Sequence, residues 1–322
     1  MPAANRPRRL FLLVPVALGL ALLLAARLGV GPGPALPPPS VEPRATVPLP
    51  SVEPRATLPP PSVEPRATVL LAVGDIGFCD GSADEAVASL AARLPGAIAL
   101  LGDIAYPDGS AVDYAACFHP AWGPMLDRIR PAPGNHDYQT TDASGYFSEF
   151  GAAAGAPGEG WYSYELGAWH VVVLNSNCDL VGGCGEGSPQ LAWLEADLRL
   201  HPATCTLAYW HHPRYSSGHH GDQAFMDPPW DALAAAGADL VLGGHDHDYE
   251  RFAPIDGMRS FVVGTGGRSL YELSRPADVQ SEQRANDSYG LLMLTLRDAD
   301  YAWRFVPAAG SSLTDAGNGQ CH

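Results

Sequence analysis

Five short stretches hold the residues that can do chemistry: GDIG (74–77), GDIAY (102–106), GNHD (134–137), YWHH (209–212) and GGHDH (243–247). Their side chains are carboxylates, a phenol, an amide and imidazoles. That oxygen and nitrogen donor set suits iron, zinc or manganese. Asp75, Asp103, Tyr106, Asn135, His211, His245 and His247 make seven candidate ligands, too many for one tetrahedral zinc. They fit two ions sharing a carboxylate, the paired arrangement about 3.5–4 Å apart that acts on phosphoryl groups. Glycine ahead of each acid or amide lets the backbone turn tightly and approach closely. His245 and His247 stand at i and i+2, on one face of an extended segment.

Such side chains need elements to deliver them. Apolar runs predict strands that end at each block: TVLLAVGD (68–75), GAIALLGD (96–103), CTLAYWHH (205–212) and ADLVLGGHDH (238–247). MLDRIRPAPGNHD (125–137) leads from a helix end into the third block. WYSYELG and WHVVVLN (161–167, 169–175) predict a hairpin, and 259–267, 289–297 and 300–307 predict closing strands. SADEAVASLAARL (82–94) predicts a helix with Ser82 as N-cap and Glu85 completing a capping box. SPQLAWLEADLRL (188–200) predicts another, with Ser188 as N-cap and Pro189 at the first position. In α/β sheets ligands sit beyond the carboxyl ends of strands, so five such loops along one edge build one polar site.

The order and spacing of the blocks resemble the metallophosphoesterases, and within them the purple acid phosphatases. That family reads D-x-G, G-D-x-x-Y, G-N-H-D/E, a His ahead of a Pro-x-Tyr stretch, then G-H-x-H, and all five lie in order across 74–247. Gly77 stands where the general metallophosphoesterase pattern has His, and Tyr106 is absent from that general pattern. The resemblance implies an α/β fold, a four-layer αββα sandwich of two mixed sheets flanked by helices. It implies a dinuclear centre of Fe(III) plus a divalent Fe, Zn or Mn, with tyrosinate giving a visible charge-transfer band. Carried over, Asp75, Asp103, Tyr106 and His247 hold one ion, and Asp103, Asn135, His211 and His245 hold the other. His136 stands where the family places a substrate-facing acid, and His219 and His220 resemble a histidine pair just outside the metals.

The implied activity is hydrolysis of small phosphomonoesters at acidic to neutral pH. Hydroxide generated at the metals attacks phosphorus in line. His136, or one of His219 and His220, protonates the leaving oxygen. Two other readings stay open: a phosphodiesterase, on cyclic nucleotides for example, and a non-catalytic exported binding protein on the same scaffold. Individual residues have plainer alternatives too. Turn or cap roles suit Asp75, Asp103 and Asn135, packing suits Tyr106, and a solvated loop suits His219 and His220. Arg251 faces either phosphate or a structural carboxylate.

Charge narrows the partners. The chain of 322 residues has a formal charge of −16, and all 19 basic residues are arginine. Residues 1–66 hold seven Arg and three Glu, which leaves −20 on 67–322. Such a surface repels nucleic-acid phosphates. RPRR (6–9) followed by 17 apolar residues (10–26) reads as a signal peptide or an uncleaved membrane anchor within 1–30. Residues 31–67 contain three 11-residue repeats rich in proline, a spacer of polyproline II type. The catalytic domain is expected over 68–322, with no room before Thr68 for the extra N-terminal β-domain of many plant relatives. Six cysteines fit an exported, disulfide-forming chain. Cys178 and Cys184 bracket a short Gly-rich loop and are the expected local bridge. Cys205–Cys321 and Cys79–Cys117 are then assumed for the remainder.

Overall fold

Apolar runs that never alternate cleanly with polar residues demand cover on both faces of a sheet, and the architecture supplies it. The computed structural model describes residues 67–79 and 81–322. The expected leader or anchor and, but for Ala67, the proline-rich repeats lie outside the described residues. Among the described residues no helix is long and apolar enough to cross a membrane.

Thirteen strands form two sheets among these residues. In chain order they are β1 (Thr68–Val73), β2 (Ala97–Leu101), β3 (Ile129–Ala132), β4 (Tyr162–Leu166), β5 (Trp169–Val173), β6 (Cys205–Tyr209), β7 (Leu240–Gly243), β8 (Tyr249–Phe252), β9 (Arg259–Val263), β10 (Ser281–Ala285), β11 (Gly290–Leu296), β12 (Asp300–Pro307) and β13 (Ala316–Gln320). One sheet runs β13-β12-β11-β1-β2-β3 and the other β10-β8-β9-β7-β6-β5-β4. Both are mixed: β1, β2 and β3 pair in parallel while β11 joins β1 antiparallel. In the second sheet β5, β6, β7 and β9 are parallel, and the β4–β5 hairpin is antiparallel as expected.

Strand period two sorts the side chains into layers. Leu70, Ala72, Ala99 and Leu101 meet Val171, Val173, Leu207 and Leu242 between the sheets. Leu71, Val73, Ile98 and Leu100 face outward onto the helix Ser82–Arg93 through Val87 and Leu90. On the opposite side Val172, Ala208 and Val241 pack under the helices Pro189–Leu200 and Asp227–Ala235. The result is the four-layer αββα sandwich that the family resemblance implies.

Two helix starts were read from sequence with different outcomes. Ser188 caps its helix, its hydroxyl accepting from the Leu191 N–H, with Pro189 at the first position. Ser82 does not: it is the first helical residue, Gly81 is the N-cap, and no side chain caps that end. The polar work there falls to Asp84, which is buried and accepts from the Gly77 N–H at 3.0 Å and the Trp122 indole N–H at 2.9 Å. A capping box needs its acid turned back along the helix start. No such bond forms from Glu85, and its neighbour Asp84 faces the core, tying the helix to the first polar loop.

Asp84 yields a pH test. Burial pushes its carboxyl up to about 6. A carboxyl raised on folding contributes stability that is complete below the unfolded value and is lost as pH rises through the folded value. Asp84→Asn keeps an acceptor for both N–H groups and cannot ionise. Urea unfolding is expected to show the variant about 1–3 kcal/mol more stable at pH 7 and equal to the parent near pH 3.5. The same difference at both pH values would contradict this account.

The three disulfides are Cys79–Cys117, Cys178–Cys184 and Cys205–Cys321, matching the pairs expected. Cys205–Cys321 spans 116 residues and fastens β6 to the end of the chain. A loop of that length restricts the unfolded chain by roughly 4–5 kcal/mol in the entropic account.

Candidate metal centre

Each of the five blocks follows a strand, and the strands come from both sheets: β1, β2 and β3 from one, β6 and β7 from the other. The sheets meet at this edge through the backbone. The Gly74 N–H donates to the Val263 carbonyl at 2.9 Å, and the Gly266 N–H to the Gly74 carbonyl at 3.1 Å. Two glycines are required by proximity. A Cβ on Gly102, at φ 87°, would lie 2.5 Å from the His211 ring, and one on Gly134 would lie 2.1 Å from the Asp103 carboxylate.

Three candidate ligands stand in the left-handed region themselves: Asp75 at φ 62°, Asp103 at 51° and His245 at 70°. Each costs on the order of 1–3 kcal/mol, and such conformations cluster where function imposes them. Glycine would be cheaper at all three positions, so the side chains are retained for what they do.

The cluster is tight. The Tyr106 hydroxyl lies 3.0 Å from Asp75 Oδ1, 3.0 Å from Asp103 Oδ2 and 3.3 Å from His247 Nε2. His247 Nε2 is 3.3 Å from Asp75 Oδ1, and His211 Nε2 is 3.3 Å from Asp103 Oδ2 and 3.2 Å from Asn135 Oδ1. These separations match the roughly 3 Å edges of an octahedral shell around an ion bound at about 2.1 Å. Asp103 touches both halves of the group, as a bridge must.

Ring orientation strengthens the fit. His211 Nδ1 faces the Leu101 carbonyl at 2.8 Å, and His247 Nδ1 faces the Ser269 carbonyl at 2.8 Å. A backbone acceptor on Nδ1 fixes that nitrogen as the donor and leaves the Nε2 lone pair pointing into the cluster. Metal-binding histidines are held in this way. His245 makes no ring hydrogen bond among the described residues and packs between His211, His212 and His220.

Electrostatics point the same way. Asp75 and Asp103 are buried, and among the described residues their ion-pair partners are histidines alone. Burial would raise Asp103, but His211 and His136 hold it well below the usual carboxylate range. His211 is pushed up to about 9, the Asp103 charge outweighing burial. Burial, then Asp103 and Asp75, holds the Tyr106 phenol neutral, well above its ordinary value. Only a cation placed among these groups reverses that preference. Burial and the neighbouring imidazoles push His245 well down, which keeps its lone pair free. The residues therefore fit a metal pair.

The remaining sequence candidates separate. His136 is 35 % exposed, lies tilted at 53° with its ring centre 4.4 Å from that of Tyr106, and has Nε2 at 3.9 Å from Asp103. His220 stacks 4.1 Å from His245 and lines a cleft beside it. His219 turns instead toward Tyr271, 5.2 Å away. Arg251 is a structural cation: it pairs with Asp315 and Glu282. His212 holds the Ser176 hydroxyl through Nδ1 at 2.8 Å.

Three contributors lie outside the sequence reading. Tyr271 stacks flat on His247 at 4.0 Å, and Arg268 sits 5.2 Å from the Tyr106 ring. Asp246 accepts from the Ser216 hydroxyl and from the backbone N–H groups of His220 and Gly221, so it anchors the loop that carries His220. Tyr271 has no motif to mark it. Asp246 did carry a signal, an acid between two ligands that alternation turns to the opposite face.

The model of the calcineurin-like phosphoesterases matches residues 68–249, more than half of the chain. The chain belongs to the calcineurin-like phosphoesterase family. Within it, the chain is similar to the purple acid phosphatases. Purple acid phosphatase 15 of Arabidopsis thaliana is 25% identical over 242 residues, covering 62% of this chain and 44% of that protein. Acid phosphatase type 7 of Homo sapiens is 28% identical over 161 residues, covering 43% and 35%. The chain spans about half the length of the first curated relatives it matches. A purple acid phosphatase from yellow lupin seeds shares the fold at a TM-score of 0.69 and 17% identity, covering 79% of this chain and 54% of that one. GAP50, the anchor in the inner membrane complex of Plasmodium, superposes at 0.65 and 16% identity, covering 80% and 89%.

Proposed function

We propose that this calcineurin-like phosphoesterase is an exported phosphatase that hydrolyses small phosphomonoesters at a dinuclear metal centre. The observation that carries the reading is the pair of rings at His211 and His247. Each is turned by a backbone carbonyl so that Nε2 enters a group of two buried aspartates, a buried phenol and a half-buried amide. Bound there, the ions would supply Lewis-acid charge and a hydroxide nucleophile at mildly acidic pH.

The chain's own residues do the rest. Asp75, Asp103, Tyr106 and His247 would hold one ion, and Asp103, Asn135, His211 and His245 the other. A phenol donor favours Fe(III) at the first position; Fe, Zn or Mn(II) suits the second. His136 and His220 flank the cluster on different ligands, Tyr106 and His245, and either would give a proton to the leaving oxygen. The family's use of phosphoesters supports this reading, and the three disulfides support export.

Turnover decides among the readings. With both metals supplied, p-nitrophenyl phosphate is expected to be cleaved faster than its bis ester. The reverse order would make the protein a phosphodiesterase, and no turnover of either ester would leave a binding protein.

Tyr106→Phe tests the choice of iron. The parent is expected to show a visible tyrosinate-to-metal absorption band. The variant is expected to lose the band and keep its metals. A colourless, fully active zinc enzyme indifferent to the substitution would contradict the iron assignment.

A further inference from the structure

Among the described residues five large apolar side chains are exposed, and two of them, Leu180 at 61 % and Phe225 at 43 %, line the same cleft. That cleft, of about 690 Å³, also has His245 and His220 in its wall. It therefore opens from the candidate metal centre, on the side of the second ion.

The walls are built. Leu180 sits on the short loop closed by Cys178–Cys184, with its N–H on the Asn177 carbonyl at 2.9 Å. Phe225 precedes the buried Met226, whose sulfur lies 3.9 Å from Cys178 Sγ, so the two walls are joined at their base. The polar side chains of the cleft are largely engaged with the protein. Asn177 donates to the carbonyls of Pro133 and Gly134, the Ser176 hydroxyl is paired with His212, and the Gln223 amide donates to the Gly221 carbonyl. No arginine lines the cleft, and Asp179 does. The exposed edge of Phe225 and the His212 ring, 5.8 Å apart at 68°, form an aromatic corner.

We infer that this cleft is the leaving-group subsite, and that it selects phosphomonoesters whose leaving group carries an uncharged aromatic ring. The inference rests on the phosphomonoesterase reading and deepens it. A phosphoryl group on the metals directs its ester oxygen toward either flank of the centre. On the flank holding His220, an imidazole within the cleft wall and an apolar, aromatic-walled space stand together. An aromatic ring fills that space against Phe225 and Leu180. A leaving group with further phosphates would meet Asp179 and no cation.

The test compares kcat/KM for 2-naphthyl phosphate, adenosine 5′-monophosphate and glycerol 2-phosphate in the metal-loaded protein. The two aromatic esters distinguish a ring on the ester oxygen from one carried at ribose distance. Phe225→Ala and Leu180→Ala are each expected to lower the ratio of an aromatic ester to glycerol 2-phosphate by about three- to tenfold, mainly through KM. Leu200→Ala, also exposed but on the helix Pro189–Leu200 and outside the cleft, is expected to leave the ratio unchanged. The ester whose ratio falls most is the one whose ring reaches the cleft. Unchanged ratios in both cleft variants, with all esters still hydrolysed, overturn the subsite alone. Absence of turnover on every ester by the parent overturns the phosphatase reading itself.

Discussion

Asp103→Asn is expected to reduce kcat for p-nitrophenyl phosphate by at least about 10³-fold, a loss of roughly 4 kcal/mol of transition-state stabilisation. One oxygen of this carboxylate lies near both Tyr106 and His211, which belong to different halves of the cluster. The other accepts the His136 backbone N–H at 2.8 Å. An amide of the same size, its oxygen kept on the His136 N–H, places an N–H₂ where acceptors are needed. Bound metal should fall from two ions to one or none per chain. Circular dichroism is expected to match the parent, because the substitution removes a buried charge and opens no cavity. Retention of both ions with parent-like turnover would remove Asp103 from the centre.

His245→Ala and His247→Ala are expected to lower activity similarly, by about 10²–10³-fold at stoichiometric metal, and to differ in everything else. His247 Nε2 is beside Tyr106 and Asp75, whereas the His245 ring is beside His211 and His220. Loss of His247 should therefore abolish the visible band and lower the iron content. Loss of His245 should spare the band and lower the second metal. Identical spectra and metal contents in the two variants would mean that the two imidazoles do not serve different ions.

The strand ends were legible because one physical pattern recurs five times. A strand stops and a ligand-type side chain follows, directly behind a glycine in four of the five blocks. Asp75 or His245 alone would have suited a turn; together with Asp103, Asn135 and His211 they define an edge. The four-layer arrangement came from the family resemblance, and the runs agree with it, since Leu70 and Leu71 are covered on opposite faces of β1. Ser82 was misread because the S-x-x-E pattern cannot report that Asp84, one residue nearer, is drawn into the core by Gly77 and Trp122. Tyr271 and the Leu180–Phe225 cleft were illegible for a different reason. They lie in irregular segments, where neither period two nor period 3.6 says which way a side chain points, and only the disulfide loop and the return of the chain after β9 bring them to the centre. His219 and His220 look equivalent in sequence, yet the Asp246 anchor turns only His220 over a ligand.

The central claim is that activity belongs to a pair of ions held by these seven side chains. Its most direct test is titration of the metal-stripped protein with iron and zinc while p-nitrophenyl phosphate hydrolysis and bound metal are measured on the same samples. Turnover should be negligible without metal and rise to a plateau at two ions per chain. Full activity in the stripped protein, or a plateau at one ion, would contradict the account.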